Sequence, residues 1–356
     1  MKAAVLNGYN QALELEDRPE PEITRPNQVR VKIEAAGVCS TDLHAIDGEM
    51  EPAGMDVPRV LGHENGGRVD AVGDLVSTVK VGDPVLIYPP HSCGVCVNCR
   101  RGRDMHCEHH QFTGLSLDGG FTEYLVVGER EIVPLPPGVE PVDAAPHSDA
   151  GITAYHALMR VAHLMLPGTT TVVLGAGGVG HIGLQLAREL GSSRVLVVDP
   201  HPDRRKLADE LGADQALDSA GVVDAVRDLT GGRGADLVLD FVGTDQTHGD
   251  ALGMLGLTGT YSMIGFGGMI TVPSVALVSQ EQTVMANLVG SWTDLWEVVQ
   301  LHAAGRITLK TETHPLDQVN EVLGRLREGD ITGRAVLLPH SPQDGSLLAE
   351  RPRITG

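Results

Sequence analysis

Thr171-Val172-Val173-Leu174-Gly175-Ala176-Gly177-Gly178-Val179-Gly180 decides the fold. A β-branched run ends in G-x-G-x-x-G, and a helical pattern follows from Val179 to Leu190. The motif is weak alone and specific where it joins a strand to a helix. Gly175 permits the tight turn, Gly177 lets the backbone approach a pyrophosphate, and Gly180 lets helix and strand pack closely. Gly178 and Val179 complete the turn, whose free amides and positive dipole end suit phosphate. Asp199 follows Gly180 by nineteen residues, at the end of the next strand. There a carboxylate accepts hydrogen bonds from ribose hydroxyls and repels a 2′-phosphate, which favours NAD. Arg204 and Arg205 leave NADP open, because a nearby arginine can accommodate that phosphate.

Outward from this motif the texture is regular. Strands are predicted at Val195–Val198, Leu237–Phe241, Tyr261–Gly265 and Val284–Val289, with a helix across Arg204–Leu211. That βαβ rhythm predicts an α/β, doubly wound parallel sheet covered by helices on both faces over residues 151–290. Residues 1–150 read mostly as strands and turns. Val29, Val31 and Ile33 alternate with Arg30 and Lys32 as in a half-buried strand. Gly66-Gly67, Gly73, Gly82-Asp83-Pro84 and Gly119-Gly120 are read as turns. After Ser291 a helix at Leu295–Ala304 and a strand at Ala335–Leu338 are expected to return to the first domain, pairing 1–150 with 291–356. Residues 341–356, rich in Pro, Gly and polar groups, are expected to form a mobile or partner-contacting tail.

Four of five cysteines, Cys93, Cys96, Cys99 and Cys107, fall in a C-x2-C-x2-C-x7-C lobe at about 91–110. Four thiolates so close can surround one tetrahedral zinc, which makes a closed structural site. Spacings this tight pair poorly as disulfides. Cys39 and His63 offer an incomplete set, which suits an open catalytic metal but also fits ordinary core residues. His91, His106, His109 and His110 crowd the lobe without being needed by it.

The chain has 356 residues, a formal charge of −20 and a hydrophobic fraction of 42%. Two domains with substantial cores are expected at this length. The acidity argues against a nucleic-acid partner, whose phosphates require lysine and arginine. No apolar run reaches membrane-spanning length, and the first residues lack a signal-peptide core. Thiolate ligands rather than disulfides fit a cytoplasmic setting.

Taken in order, Gly37-Val38-Cys39-Ser40-Thr41-Asp42-Leu43-His44, Gly62-His63-Glu64, the cysteine lobe, Asp149-Ala150-Gly151, the glycine motif and Gly333-Arg334-Ala335-Val336 resemble the zinc-dependent medium-chain alcohol dehydrogenases over nearly the whole chain. The resemblance implies a GroES-like, mostly-β catalytic domain, a Rossmann domain and a cleft between them where zinc meets nicotinamide. It implies two zinc ions per chain. Cys39 and His63 would hold the catalytic one, with Asp149 where the family usually places a cysteine. By the same similarity Asp42 orients His63, Glu64 is a close neighbour able to approach the metal, and Arg334 pairs with the pyrophosphate. Thr41 and His44 would carry the substrate proton to solvent by way of the cofactor ribose. Trp292 and Met50 would line the substrate pocket or simply pack. Ser40 stands where some members carry a phosphate-binding arginine, which implies looser NADH binding.

The implied reaction is reversible oxidation of a primary or secondary alcohol to an aldehyde or ketone with NAD. A polyol, sugar or formaldehyde dehydrogenase of the same superfamily is the alternative, and a non-catalytic NAD(H)-binding protein is the reading from another class. A homodimer or homotetramer is expected, the last strand of the Rossmann sheet pairing with its twin across a two-fold axis.

Overall fold

Thr170–Leu174 is the central strand of a six-stranded parallel sheet, and all five of its residues are buried. Its side chains alternate between the two faces, with Val173 in one apolar cluster and Val172 and Leu174 in another. Arg194–Val198 repeats the pattern, Val195 and Val197 on one side and Leu196 and Val198 on the other. Helices on both faces leave no solvent side, which explains the unbroken β-branched runs. Across the sheet the strands run Gln215–Leu217, Arg194–Val198, Thr170–Leu174, Ala235–Asp240, Leu255–Met263 and Thr283–Ala286. The order reverses beside Thr170–Leu174, so the crevice at the carboxyl ends of the strands opens at the glycine turn.

The computed structural model describes residues 1–340; the tail 341–356 lies outside the described residues. The second large sheet has seven strands. At its centre Gln28–Gly37 pairs antiparallel with Glu64–Val72, Tyr124–Gly128 and Arg334–Leu338. The last pairing, Val336 opposite Gly37, returns the chain's end to the sheet begun near its start. Trp292–Ala303 packs against the helix Ala150–Val161. A two-stranded ribbon, Pro90–His91 with Gln111–Phe112, frames the cysteine lobe.

Gly66 and Gly67 are not turn residues but lie inside Glu64–Val72. A Cβ on Gly67 would come within 2.0 Å of the Lys32 carbonyl oxygen, and one on Gly66 within 2.9 Å of the Pro141 oxygen. The pairing with Gln28–Gly37 shifts register between Ile33 and Ala35, and glycine there admits the close backbone approach of a bulge. Among the described residues no helix is long and apolar enough to cross a membrane.

Candidate active site

Cys39 follows the strand Gln28–Gly37 and caps the helix Ser40–Ile46. Asp42, at the third helical position, accepts the Cys39 N–H at 2.9 Å through one oxygen. Its other oxygen lies 3.2 Å from His63 Nδ1. One buried carboxylate therefore closes the helix and lies against the Nδ1 side of the imidazole. The opposite nitrogen, Nε2, faces Asp149, whose Oδ2 lies 3.5 Å from both Nε2 and the Cys39 sulfur. The three donor atoms lie within 4.8 Å of one another.

His63 is 1% exposed, and neither ring nitrogen makes a well-formed hydrogen bond, the 3.2 Å approach of Nδ1 to Asp42 and the 3.5 Å approach of Nε2 to Asp149 both being poorly directed. A buried nitrogen in that condition costs on the order of 1–3 kcal/mol, which a cation would relieve. Thiolate, imidazole and carboxylate around one point form a donor set suited to zinc. The electrostatics agree. Burial disfavours the His63 imidazolium, yet Asp42, Asp149 and Cys39 hold its pKa well above the ordinary value. Burial likewise pushes Asp149 up, and His63 and Arg334 overcome it, leaving the carboxyl below its usual range. The site is built to face positive charge. The Asp149 side chain is 16% exposed against 1% for His63, so the site opens on the Asp149 side.

Arg334 joins this centre to the glycine turn. Its Nε donates to Glu64 Oε2 at 2.9 Å, and Nη2 donates to Glu64 Oε1. Nη2 also lies 3.8 Å from Asp149. Nη1 faces Gly178, where an added Cβ would come within 2.3 Å of it. The two-pronged face expected to meet pyrophosphate is thus occupied by Glu64, with one nitrogen left toward the turn. Glu64 also accepts the Ala150 N–H at 3.1 Å, which makes it a buried brace within the first domain, holding Arg334 and the start of the helix Ala150–Val161 together.

The glycine turn has the cradle its sequence implies. Gly175 has φ +85°, and a Cβ on Gly180 would meet the Gly175 oxygen at 1.8 Å. Above Gly177 the nearest atom to an added Cβ is Arg204 Nη1 at 3.9 Å, which leaves space beside a guanidinium. The residues fit a dinucleotide phosphate. Arg204 Nη2 is held by the carbonyls of Gly329 and Ile331 at 2.7 and 3.2 Å. Asp199 is 1% exposed, and its two oxygens accept the Ala176 and His201 amides, each at 2.9 Å. It braces the turn as well as ending the strand before the ribose position.

Residues 25–137 match the alcohol dehydrogenase GroES-like domain, and residues 178–304 match the zinc-binding dehydrogenase domain. An alcohol dehydrogenase of Geobacillus stearothermophilus is 36% identical over 341 residues, 95% of this chain and 98% of that protein. An NAD-dependent alcohol dehydrogenase of Sulfurisphaera tokodaii is 32% identical over 350 residues, covering 95% of this chain and 100% of that one. The crystal structure of an alcohol dehydrogenase from Aeropyrum pernix superposes with a TM-score of 0.93 at 39% identity, over 95% of this chain and 100% of that chain. The chain belongs to the zinc-dependent medium-chain dehydrogenase family.

In this family member Thr41 Oγ1 lies 3.6 Å from the Cys39 sulfur, beside the metal donors. His44, one turn later, has its Nδ1 2.6 Å from Glu49 Oε2, and its ring lies 4.9 Å from that of Phe266. Glu49 and Phe266 escaped sequence reading. The legible signal for Glu49 was the helix-stopping Gly48 before it; Phe266 gave none, because only tertiary packing brings it to His44.

The dehydrogenase's four lobe cysteines form the second donor cluster, their sulfurs within 4.8 Å and none in a disulfide. Backbone amides point at them, with the Cys96 N–H on Cys93 and the Cys93 and His109 N–H groups on Cys107. Amides donated by Cys99 and Glu108 bring Cys96 down to about 6, whereas burial pushes Cys99 up to about 12. Trp292 donates from Nε1 to the Ile132 carbonyl at 3.0 Å, and it lines a groove with Tyr88, Asp104 and Trp296. Met50 packs half-buried on the first domain's core.

Proposed function

We propose that the chain oxidises primary or secondary alcohols to aldehydes or ketones, reversibly, with NAD as hydride acceptor. The observation that carries this reading is the unbonded, buried His63 Nε2 facing Cys39 and Asp149, joined through Arg334 to the dinucleotide turn. Residues 1–150 and 291–356 form the catalytic domain, and 151–290 bind the nucleotide. Cys39, His63 and Asp149 hold one zinc; Cys93, Cys96, Cys99 and Cys107 hold a structural second.

When bound, zinc would supply the charge that acidifies a coordinated hydroxyl, and NAD the acceptor for hydride. The chain does the rest. Asp42 fixes His63 so that its Nε2 stays aimed inward. Thr41 receives the substrate proton beside Cys39, and His44 holds it at the mouth of the cleft. Asp199 and the amides of Gly175–Gly180 position the nucleotide, with Arg204 and Arg334 flanking its phosphates. Glu64 keeps Arg334 in register with the metal donors.

A homo-oligomer formed along the edge strand Thr283–Ala286 and a cytoplasmic location complete the proposal. The edge carries exposed Met269, Val275, Val278 and Leu288 nearby, which a second copy would cover.

The test is a panel of primary, secondary and aromatic alcohols, polyols, aldoses and formaldehyde against NAD and NADP, followed by appearance of reduced nicotinamide. Simple alcohols with NAD are expected to turn over fastest. Thr41→Ala is expected to lower kcat on the order of 10²-fold with cofactor affinity held. Full activity in that variant contradicts the proton's route, and no alcohol oxidation by the zinc-loaded wild type contradicts the function.

A further inference from the structure

We propose that Glu49 is a positioning residue for proton release: it fixes His44 in the Nδ1–H tautomer, leaving Nε2 free to take the departing proton. This role rests on the dehydrogenase reading above.

The pair is built by the end of one helix. Ser40–Ile46 stops at Asp47, and Gly48 takes φ +83° in the left-handed region. The Gly48 N–H then donates to the Ala45 carbonyl at 3.2 Å, and the Glu49 N–H donates to the His44 carbonyl at 2.9 Å. These are the two bonds of a Schellman ending, which folds the residue after the glycine back over the last turn. That ending usually sets one apolar side chain on another at these two positions. Here it sets a carboxylate on an imidazole, with Nδ1 and Oε2 2.6 Å apart. A hydrophobic pair would close the helix as well, so helix capping alone does not account for the charge.

The surroundings give His44 a direction. Thr41 and His44 are three apart on one helix and share a face, so the imidazole lies one turn from the metal donors. Its ring packs on Phe266, which follows the strand Leu255–Met263 at the carboxyl edge of the parallel sheet, the edge that carries the glycine turn. His44 therefore stands where the two halves of the cleft meet, with 27% of its side chain exposed.

The other charges near it cancel. Asp47, on the same helix end, faces His44 but is paired through both oxygens with Arg327, at 2.8 Å each. Arg327 comes from Val319–Glu328, the helix packed on Ser40–Ile46. Among the described residues Glu49 has no arginine or lysine partner, its ion-pair contact being His44. The uncompensated charge beside the imidazole is thus that of Glu49. When Nε2 accepts the proton, the Nδ1–H bond to Glu49 stabilises the resulting imidazolium. Release from Nε2 to bulk water restores the starting state, so no proton is gained or lost over a cycle.

The experiment combines imidazole ¹⁵N NMR of the full chain with the pH dependence of kcat for alcohol oxidation, on wild type, Glu49→Gln, Glu49→Asp and His44→Gln. Wild-type His44, assigned by its absence in His44→Gln, is expected as the Nδ1–H tautomer when neutral. Glu49→Gln is expected to leave neutral His44 as a mixture of tautomers and to move the acid limb of kcat to lower pH, because a neutral base is required and the lost charge no longer favours its protonated form. Glu49→Asp is expected to restore most of the Nδ1–H population, with KM for NAD and alcohol unchanged throughout. The same His44 tautomer population in wild type and Glu49→Gln overturns the proposal. So does an acid limb that Glu49→Gln leaves in place while alcohols are oxidised normally, and that result leaves the dehydrogenase reading intact. A chain whose His44 changes tautomer as expected but which oxidises no alcohol overturns the dehydrogenase reading and the release role with it.

Discussion

Asp199 shows how much one side chain does in this cleft. Sequence position alone assigns it to the ribose; the structure adds that its oxygens also hold the Ala176 and His201 amides. Asp199→Gly is therefore expected to act twice in steady-state kinetics. The preference for NAD over NADP falls because the repulsive charge is gone, and KM for both rises because the turn loses its brace. An unchanged ratio of kcat/KM for the two cofactors contradicts the assignment. The same doubling of roles explains what could be read at this scale. Cys39, His63, Thr41 and the glycines were legible because chemistry fixes their residue type. The Glu64–Arg334 brace was not, since a carboxylate beside a metal and an arginine beside a phosphate each make sense alone. Only the sheet register that brings Arg334–Leu338 against Gln28–Gly37 shows that they bind each other.

The turn where the strand Ile132–Pro134 meets the cysteine lobe stores a pH dependence at the scale of the element. Glu131 accepts the Ser92 N–H at 3.3 Å and lies 3.9 Å from His91 Nδ1. Burial pushes Glu131 up to about 7 from its ordinary 4.5 and pushes His91 down to about 4, so neither neutralises the other near neutrality. Between about 4.5 and about 7 the folded chain keeps a proton on Glu131 that the unfolded chain has lost. Through Glu131 alone, rising pH across that window therefore favours unfolding, whereas His91, neutral in the fold and protonated in the unfolded chain, acts in the opposite sense. Glu131→Gln removes this contribution. The variant is expected to match wild type in denaturant stability below pH ~4 and to exceed it above pH ~7 by on the order of 1–3 kcal/mol. An advantage independent of pH contradicts the burial account. Periodicity located the strands of this region but misread Gly66 and Gly67, since a glycine needed for close backbone approach looks in sequence like a glycine needed for a turn.

For the whole molecule, two sheets of different kinds meet at a cleft, and apolar packing runs across the join. One cluster contains Leu86, Tyr88 and Val133 from the β domain together with Val173, Val197 and Leu295. The parallel half was readable because strands buried on both faces give unbroken apolar runs. The return of the chain's end was readable from the short strand near Val336. How the halves are tied, through the approach of Arg334 to Gly178 and the contact of His44 with Phe266, depends on tertiary approach and left no periodic trace. The central claim is that an open metal position at Cys39, His63 and Asp149 coexists with a closed one in the cysteine lobe. Zinc per chain, measured by elemental analysis on wild type and on Asp149→Ala after removal of loosely bound metal, tests it most directly. Two ions are expected in the wild type and one in the variant, matching the two donor clusters; one ion in both would contradict it.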